Sequence, residues 1–156
     1  MREQKINIAD AMPLIREKLD LGHYVTFFPL GTSMLPFLKE GRDSVTLSRV
    51  TGPLKKYDVP LYKRANGHYV LHRIVRVGET YTCLGDNQFV LEKGIAPEQI
   101  VAVCVSFTRK GKVIPASALR LRLYAMLWYH SRFPRRVAYA VFRRIKRALK
   151  RAVNAR

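Results

Sequence analysis

Residues 58–84 read DVPLYKRANGHYVLHRIVRVGETYTCL, and this run decides the fold. Two apolar stretches rich in aromatic and β-branched residues, Val59 to Lys63 and His68 to Val77, flank the turn sequence Ala65-Asn66-Gly67. That arrangement predicts a β-hairpin. A further strand is expected over Thr80 to Leu84, closed by the turn Gly85-Asp86-Asn87. Working outward, His23 to Phe28, Ser44 to Leu47 and Ile100 to Thr108 have the same composition. They are punctuated by Thr51-Gly52-Pro53 and Arg109-Lys110-Gly111. Several short strands separated by turn signals predict a mainly β domain.

Helical spacing is confined to the two ends. Ile8, Met12, Ile15 and Leu19 recur at helical intervals over residues 7–20, with Pro13 expected in the first turn and Gly22 as the stop. After Pro115 the character changes. Residues 118–132 and 135–153 read as two helices separated by Pro134, which would break a continuous one. In the second, Val137, Val141, Ile145 and Leu149 recur every fourth residue, with Arg136, Arg143, Arg147 and Lys150 on the other side. The expected architecture is therefore a mainly β domain with an N-terminal helix over residues 1–116, followed by a cationic amphipathic helical extension over 117–156.

Charge is distributed as unevenly as structure. The chain has 29 Lys and Arg against 11 Asp and Glu, a formal net charge of +18. From Ser117 onward there are twelve basic residues and no acidic one. Such a balance predicts attraction to an acidic partner. Because Leu123, Trp128, Phe133, Phe142 and Ile145 accompany the charge, an anionic membrane surface is favoured over nucleic acid, with Arg135, Arg136, Arg143, Arg144 and Arg147 as its contacts. The alternative is that the apolar stripe packs on the β domain or on a partner chain.

No uncharged apolar run of about 18 residues is present to cross a bilayer, and the first residues do not read as a secretory signal. A cytoplasmic location, with the option of a peripheral position on the inner face of the membrane, is the expectation. Cys83 and Cys104 lie in apolar strands and are expected to be free buried thiols.

Two short stretches bear on chemistry. Gly31-Thr32-Ser33-Met34-Leu35-Pro36 presents a serine after a glycine turn, and Leu71-His72-Arg73-Ile74-Val75 supplies a histidine in an apolar strand. A serine hydroxyl needs a neighbouring base to attack a carbonyl, and histidine serves that role near pH 7. Taken singly, Ser33 also reads as a turn or N-cap serine and His72 as a structural histidine. His68 and His72 could be read as a metal pair, but no Cys or Asp/Glu cluster completes a site. No metal or cofactor is expected.

Together with Gly85-Asp86-Asn87, these blocks resemble, in the right order, the signal peptidase I and LexA-like clan of serine peptidases. The histidine base brings the chain nearest to the endoplasmic-reticulum, archaeal and sporulation-type signal peptidases, though without their membrane anchor. The resemblance covers residues 24–106. It implies Ser33 as nucleophile, His72 as base, and Asp86 as the acid that orients the histidine. In such relatives a second acid about six residues on can take that part, which makes Glu92 the rival. Gly31 stands where many signal peptidases have an oxyanion-hole serine. LexA-like members share the glycine, which implies an oxyanion hole of backbone N–H groups from Ser33, with Gly31 and Thr32. Gly41-Arg42-Asp43 splits the usual Gly-Asp pair and leaves Asp43 as a structural residue. Lys55, Lys56 and Lys63 do not occupy the strand position of the base.

The function these features imply is a serine endopeptidase that cleaves an extended segment of a peptide or protein precursor, with small residues at the cut site. It would be either a peripheral enzyme docked by its tail or a peptidase that trims the leader of a small peptide. Self-cleavage is disfavoured, since the chain has neither Ala-Gly nor Cys-Gly. The alternative from another class is an inactive binding module whose basic tail holds an anionic membrane or nucleic acid.

Overall fold

The computed structural model describes residues 8–154. Helix α1 (Ile8–Asp20) comes first and is followed by strands β1 (Val25–Phe27), β2 (Ser44–Ser48), β3 (Pro60–Lys63) and β4 (Tyr69–Leu71). Strands β5 (Arg73–Arg76), β6 (Tyr81–Leu84) and β7 (Glu92–Ile95) form the middle of the chain. Then come β8 (Ile100–Arg109), β9 (Lys112–Pro115) and helices α2 (Leu119–His130) and α3 (Arg132–Asn154). At 32% helix and 29% strand this is a mixed α/β fold, a half-barrel of antiparallel sheets with helices at both ends. The expectation of a mainly β chain holds only in part, because the helices together contribute as much as the sheets.

All pairings are antiparallel and fall into two sheets. The larger has the order β1-β2-β8-β3-β4, with β9 also on β8; the smaller is β5-β6-β7. The ten-residue β8 organises the larger sheet, pairing with β2, β3 and β9 along its length. The expected long strand from His68 to Val77 is divided. Leu71 ends β4 in one sheet, Arg73 begins β5 in the other, and His72 stands at the crossing.

Each sheet has its own apolar cluster. Val45, Leu47, Leu61, Ala102 and Phe107 of the larger sheet pack with Met12, Ile15 and Leu19 of α1, Met34, Phe37 and Leu38 of the loop after β1, and Leu121 of α2. Tyr62, Ile74, Tyr81, Cys83 and Ile95 form the second cluster. Each leucine-sized side chain so buried contributes about 2 kcal/mol. Asp43 fastens the loop after β1 from within. It is fully buried and accepts the Lys39 N–H (2.9 Å), the Lys110 N–H (3.1 Å) and two hydrogen bonds from Arg42 (2.9 and 2.7 Å). The Arg42 guanidinium holds its carboxyl down at about 2.

Three local expectations are corrected. Pro13 sits on the exposed side of α1 beyond its first turn, where Met12, Ile15 and Leu19 still face the core. Pro134 does not separate the last two helices. The break falls at Ser131, and Pro134 lies in the first turn of α3, where a missing N–H breaks no helical bond. Strands β7 and β9 were not expected. Glu92-Lys93-Gly94-Ile95 has little strand propensity and is extended because β6 pairs with it.

Candidate active site

The loop after β1 brings Ser33 to one wall of a cleft of about 220 Å³, lined among others by Pro29, Leu30, Met34, Tyr69 and His72. Gly31 turns the chain at φ +88°, a conformation in which a side chain is strained. The buried side chains of Met34, Phe37 and Leu38 fix the far end of the loop in the core. The near end is held from across the cleft. The Asn87 N–H donates to the Ser33 carbonyl (2.8 Å) and the Asn87 side-chain amide donates to the Thr32 carbonyl (3.2 Å).

His72 enters from the opposite wall, 1% exposed. Its Nδ1 lies 3.0 Å from Glu92 Oε1 and 3.3 Å from the Tyr62 hydroxyl. Glu92 is itself held by the Tyr62 hydroxyl (2.9 Å) and by both arms of Arg64, one at 2.8 Å. A carboxylate at Nδ1 selects the tautomer with its proton there, which leaves the Nε2 lone pair free to accept a proton. Burial pushes the imidazole below its ordinary value of 6.5; Glu92 opposes this but does not reverse it. Burial also works to raise the Glu92 carboxyl, yet Arg64, Tyr62 and His72 together hold it below its ordinary value. Near pH 7 the pair is therefore a neutral imidazole beside a carboxylate.

Gly85 separates the two walls. A Cβ there would lie 2.8 Å from the Ser33 carbonyl oxygen and 3.0 Å from His72 Nε2. Only glycine lets the Ser33 loop and His72 approach one another at that point. The Gln88 side chain borders the same spot and the cleft.

The carboxylate beside Nδ1 is thus Glu92, and the expectation that Asp86 orients the histidine is corrected. Successive residues of a strand point to opposite faces. Arg73, next to His72, faces away from the cleft and takes Asp86 with it in a buried pair, through Nε (2.9 Å) and a terminal nitrogen (2.8 Å). The Arg73 guanidinium lies against the stacked pair of Phe37 and Tyr124, 5.1 Å from the first ring and 5.9 Å from the second. The Asp86 backbone carbonyl accepts the Trp128 indole N–H at 2.6 Å. The three residues of Gly85-Asp86-Asn87 thus serve the structure in different ways, the first by leaving space, the second by holding Arg73, and the third by tying down the serine loop.

The expected oxyanion hole is also revised. The Gly31 N–H is taken by the Glu40 carboxylate at 2.8 Å and is not free for an oxyanion. The N–H groups of Ser33 and Thr32 have no partner among the described residues and remain available. Lys55, Lys56 and Lys63 do not line the cleft. Cys83, whose thiol burial pushes up to about 12, and Cys104, pushed higher still, are buried and unpaired. Among the described residues no group of three or more His, Cys, Asp or Glu could hold a metal ion.

Sequence reasoning missed Tyr62, Arg64 and the clamp made by Asn87. Tyr62 and Arg64 stand two apart at the end of β3, the spacing of residues that share a face, and that was the available signal. No family model, no curated protein and no solved structure matches this chain.

Proposed function

We propose that the chain is a serine endopeptidase with a Ser33–His72–Glu92 site. The observation that carries this reading is a buried histidine whose Nδ1 is engaged by a carboxylate and which lines the same cleft as Ser33. In the reaction, Ser33 Oγ attacks a peptide carbonyl as its proton passes to Nε2. The oxyanion meets the N–H groups of Ser33 and Thr32. Collapse of the tetrahedral adduct breaks the C–N bond, the imidazolium protonates the departing amine, and the acyl group remains as an ester on Ser33. Water then attacks that ester, again with His72 as base, and releases the acid.

An extended substrate fits the surroundings. Strand β4 is last in its sheet, with β3 on one side, and Tyr69, Val70 and Leu71 line the cleft. A peptide laid along its unpaired edge would bond through its backbone as an added strand. The proposed substrate is a segment of a peptide or protein precursor.

The test is to incubate the protein and its Ser33→Ala variant with unstructured peptides and map the products by mass spectrometry. The variant is expected to lose cleavage by about 10⁴-fold or more. Equal cleavage by both proteins would overturn the proposal. Absence of cleavage by the parent protein, with tight binding to anionic liposomes, would return the chain to the binding-module class.

The acid limb of kcat/KM provides a second test. Burial disfavours the imidazolium, so folded His72 binds its proton more weakly than free histidine does. Activity is then expected to persist on acidification to below pH 6.5 before it falls. A half-maximal point at or above pH 7 would contradict a buried neutral base.

A further inference from the structure

Helix α3 is 23 residues long, and its large apolar side chains from Phe133 to Leu149 are uncovered. Phe133, Val137, Val141, Phe142, Ile145 and Leu149 are half to three-quarters exposed, where the side chains of the two cores are 8% exposed or less. At about 100° per residue these six positions occupy one half of the helix circumference. Arg135, Arg136, Arg143, Lys146 and Arg147 lie on the other half, while Arg144 falls just inside the apolar half, between Phe133 and Val137.

Where α3 meets the rest of the molecule, it does so from the cationic half. The Arg135 guanidinium lies 3.7 Å over the Trp128 ring and donates to the Trp128 carbonyl at 2.6 Å. The Tyr139 ring meets Phe89 at 6.2 Å. The apolar half is thereby turned outward, which removes the alternative that it packs on the β domain. The joint is also a firm one, since the Trp128 indole is bonded to the carbonyl of Asp86, in the turn that clamps the Ser33 loop.

What covers such a helix must satisfy both halves. A nucleic acid offers countercharge but no apolar environment for the outward face. A second copy docked α3 against α3 offers an apolar surface but sets cations beside cations, for there is no acidic residue after Ser117. A bilayer with anionic headgroups offers both, with acyl chains beneath the apolar half and phosphate around the cations. We propose that α3 is a docking helix for anionic membrane, seated in the headgroup plane along Phe133, Val137, Val141 and Ile145 and joined rigidly to the cleft through Trp128 and Arg135. This stands independently of whether Ser33 is a nucleophile.

The experiment is cosedimentation of the full chain with phosphatidylcholine vesicles and with vesicles of phosphatidylcholine and phosphatidylglycerol. It compares the parent protein, a Val141→Glu/Ile145→Glu double variant and an Arg143→Ala/Arg147→Ala double variant. Both pairs are exposed and outside the cleft, so the circular dichroism of each variant is expected to match the parent. The parent is expected to bind the anionic vesicles at least tenfold more tightly than the neutral ones. Raising salt from 0.05 to 0.5 M is expected to weaken that binding at least tenfold, and each double variant to lose about tenfold. Four results would overturn the proposal: equal binding to both vesicles; anionic binding unaffected by Val141→Glu/Ile145→Glu; a parent dimer that the same variant dissolves, without vesicle binding; or association with duplex DNA alone.

Discussion

Glu92→Gln is expected to leave the protein folded and to lower kcat by about 10² to 10⁴-fold. The carboxylate selects the proton position on His72 by accepting from Nδ1 at 3.0 Å. A glutamine amide can present either its oxygen or its NH₂ to that nitrogen. With Arg64 and Tyr62 both donating to the same group, the oxygen is claimed by them and the NH₂ turns toward the ring. The imidazole then accepts at Nδ1 and carries its proton on Nε2, where it cannot act as a base. A readout other than rate separates this from mere loosening of the site. Glu92 is a charge that raises the His72 proton affinity, so without it the acid limb of kcat/KM should move to still lower pH. A variant with the parent's kcat, or with a limb displaced upward, would show that Glu92 is not the orienting group.

Asp86→Ala is expected instead to cost about 3–5 kcal/mol of stability, with a smaller downward move of the acid limb than Glu92→Gln gives, since Asp86 comes last among the charges that act on His72. Arg73 is 4% exposed and would lose both of its hydrogen bonds to Asp86 along with its counter-charge. Against a total stability of typically 5–15 kcal/mol the loss is large, and urea denaturation would detect it as a lower midpoint. The double variant Arg73→Met/Asp86→Ala removes the stranded charge together with its partner, and most of the loss should return. If Asp86→Ala unfolds at the parent's midpoint but loses 10²-fold or more in kcat, with the acid limb displaced at least as far as in Glu92→Gln, Asp86 is the orienting group after all.

The contrast between these two carboxylates also shows where sequence reasoning reached its limit. Ser33 and His72 were legible because each sits in a short local pattern: a glycine turn before the serine and an apolar strand around the histidine. The carboxylate beside His72 was not, because it depends on which acid tertiary packing delivers to Nδ1. Asp86 lies in the more conspicuous turn, yet the neighbouring Arg73 draws it to the other face of β5. Glu92 arrives through the pairing of β7 with β6, where it stands opposite Cys83, and β7 itself was invisible in Lys93 and Gly94. The Gly31 N–H could not be assigned from sequence either, because its partner Glu40 returns to it across the loop. For the fold, strands β2, β3, β6 and β8 were legible from β-branched and aromatic runs. The division of the expected strand at His72 was not, since nothing in Leu71-His72-Arg73 marks a change of sheet. The amphipathic spacing of α3 was plain, but spacing alone could not tell a covered face from an open one.

The position of His72 between the two sheets has a mechanical side. Tyr62 belongs to the larger sheet and Glu92 to the smaller, so the bonds that steady the imidazole are also rivets across the seam between them. The spacing of base and serine loop is in effect a gauge of how one sheet sits against the other. Misplacement by about an ångström can cost 10²-fold in rate. If Ser33 and His72 act as proposed, slippage at the seam would lower the rate before either sheet came apart. What resists such slippage is the packing of Ile74 and Cys83 of the smaller sheet around Tyr62 of the larger.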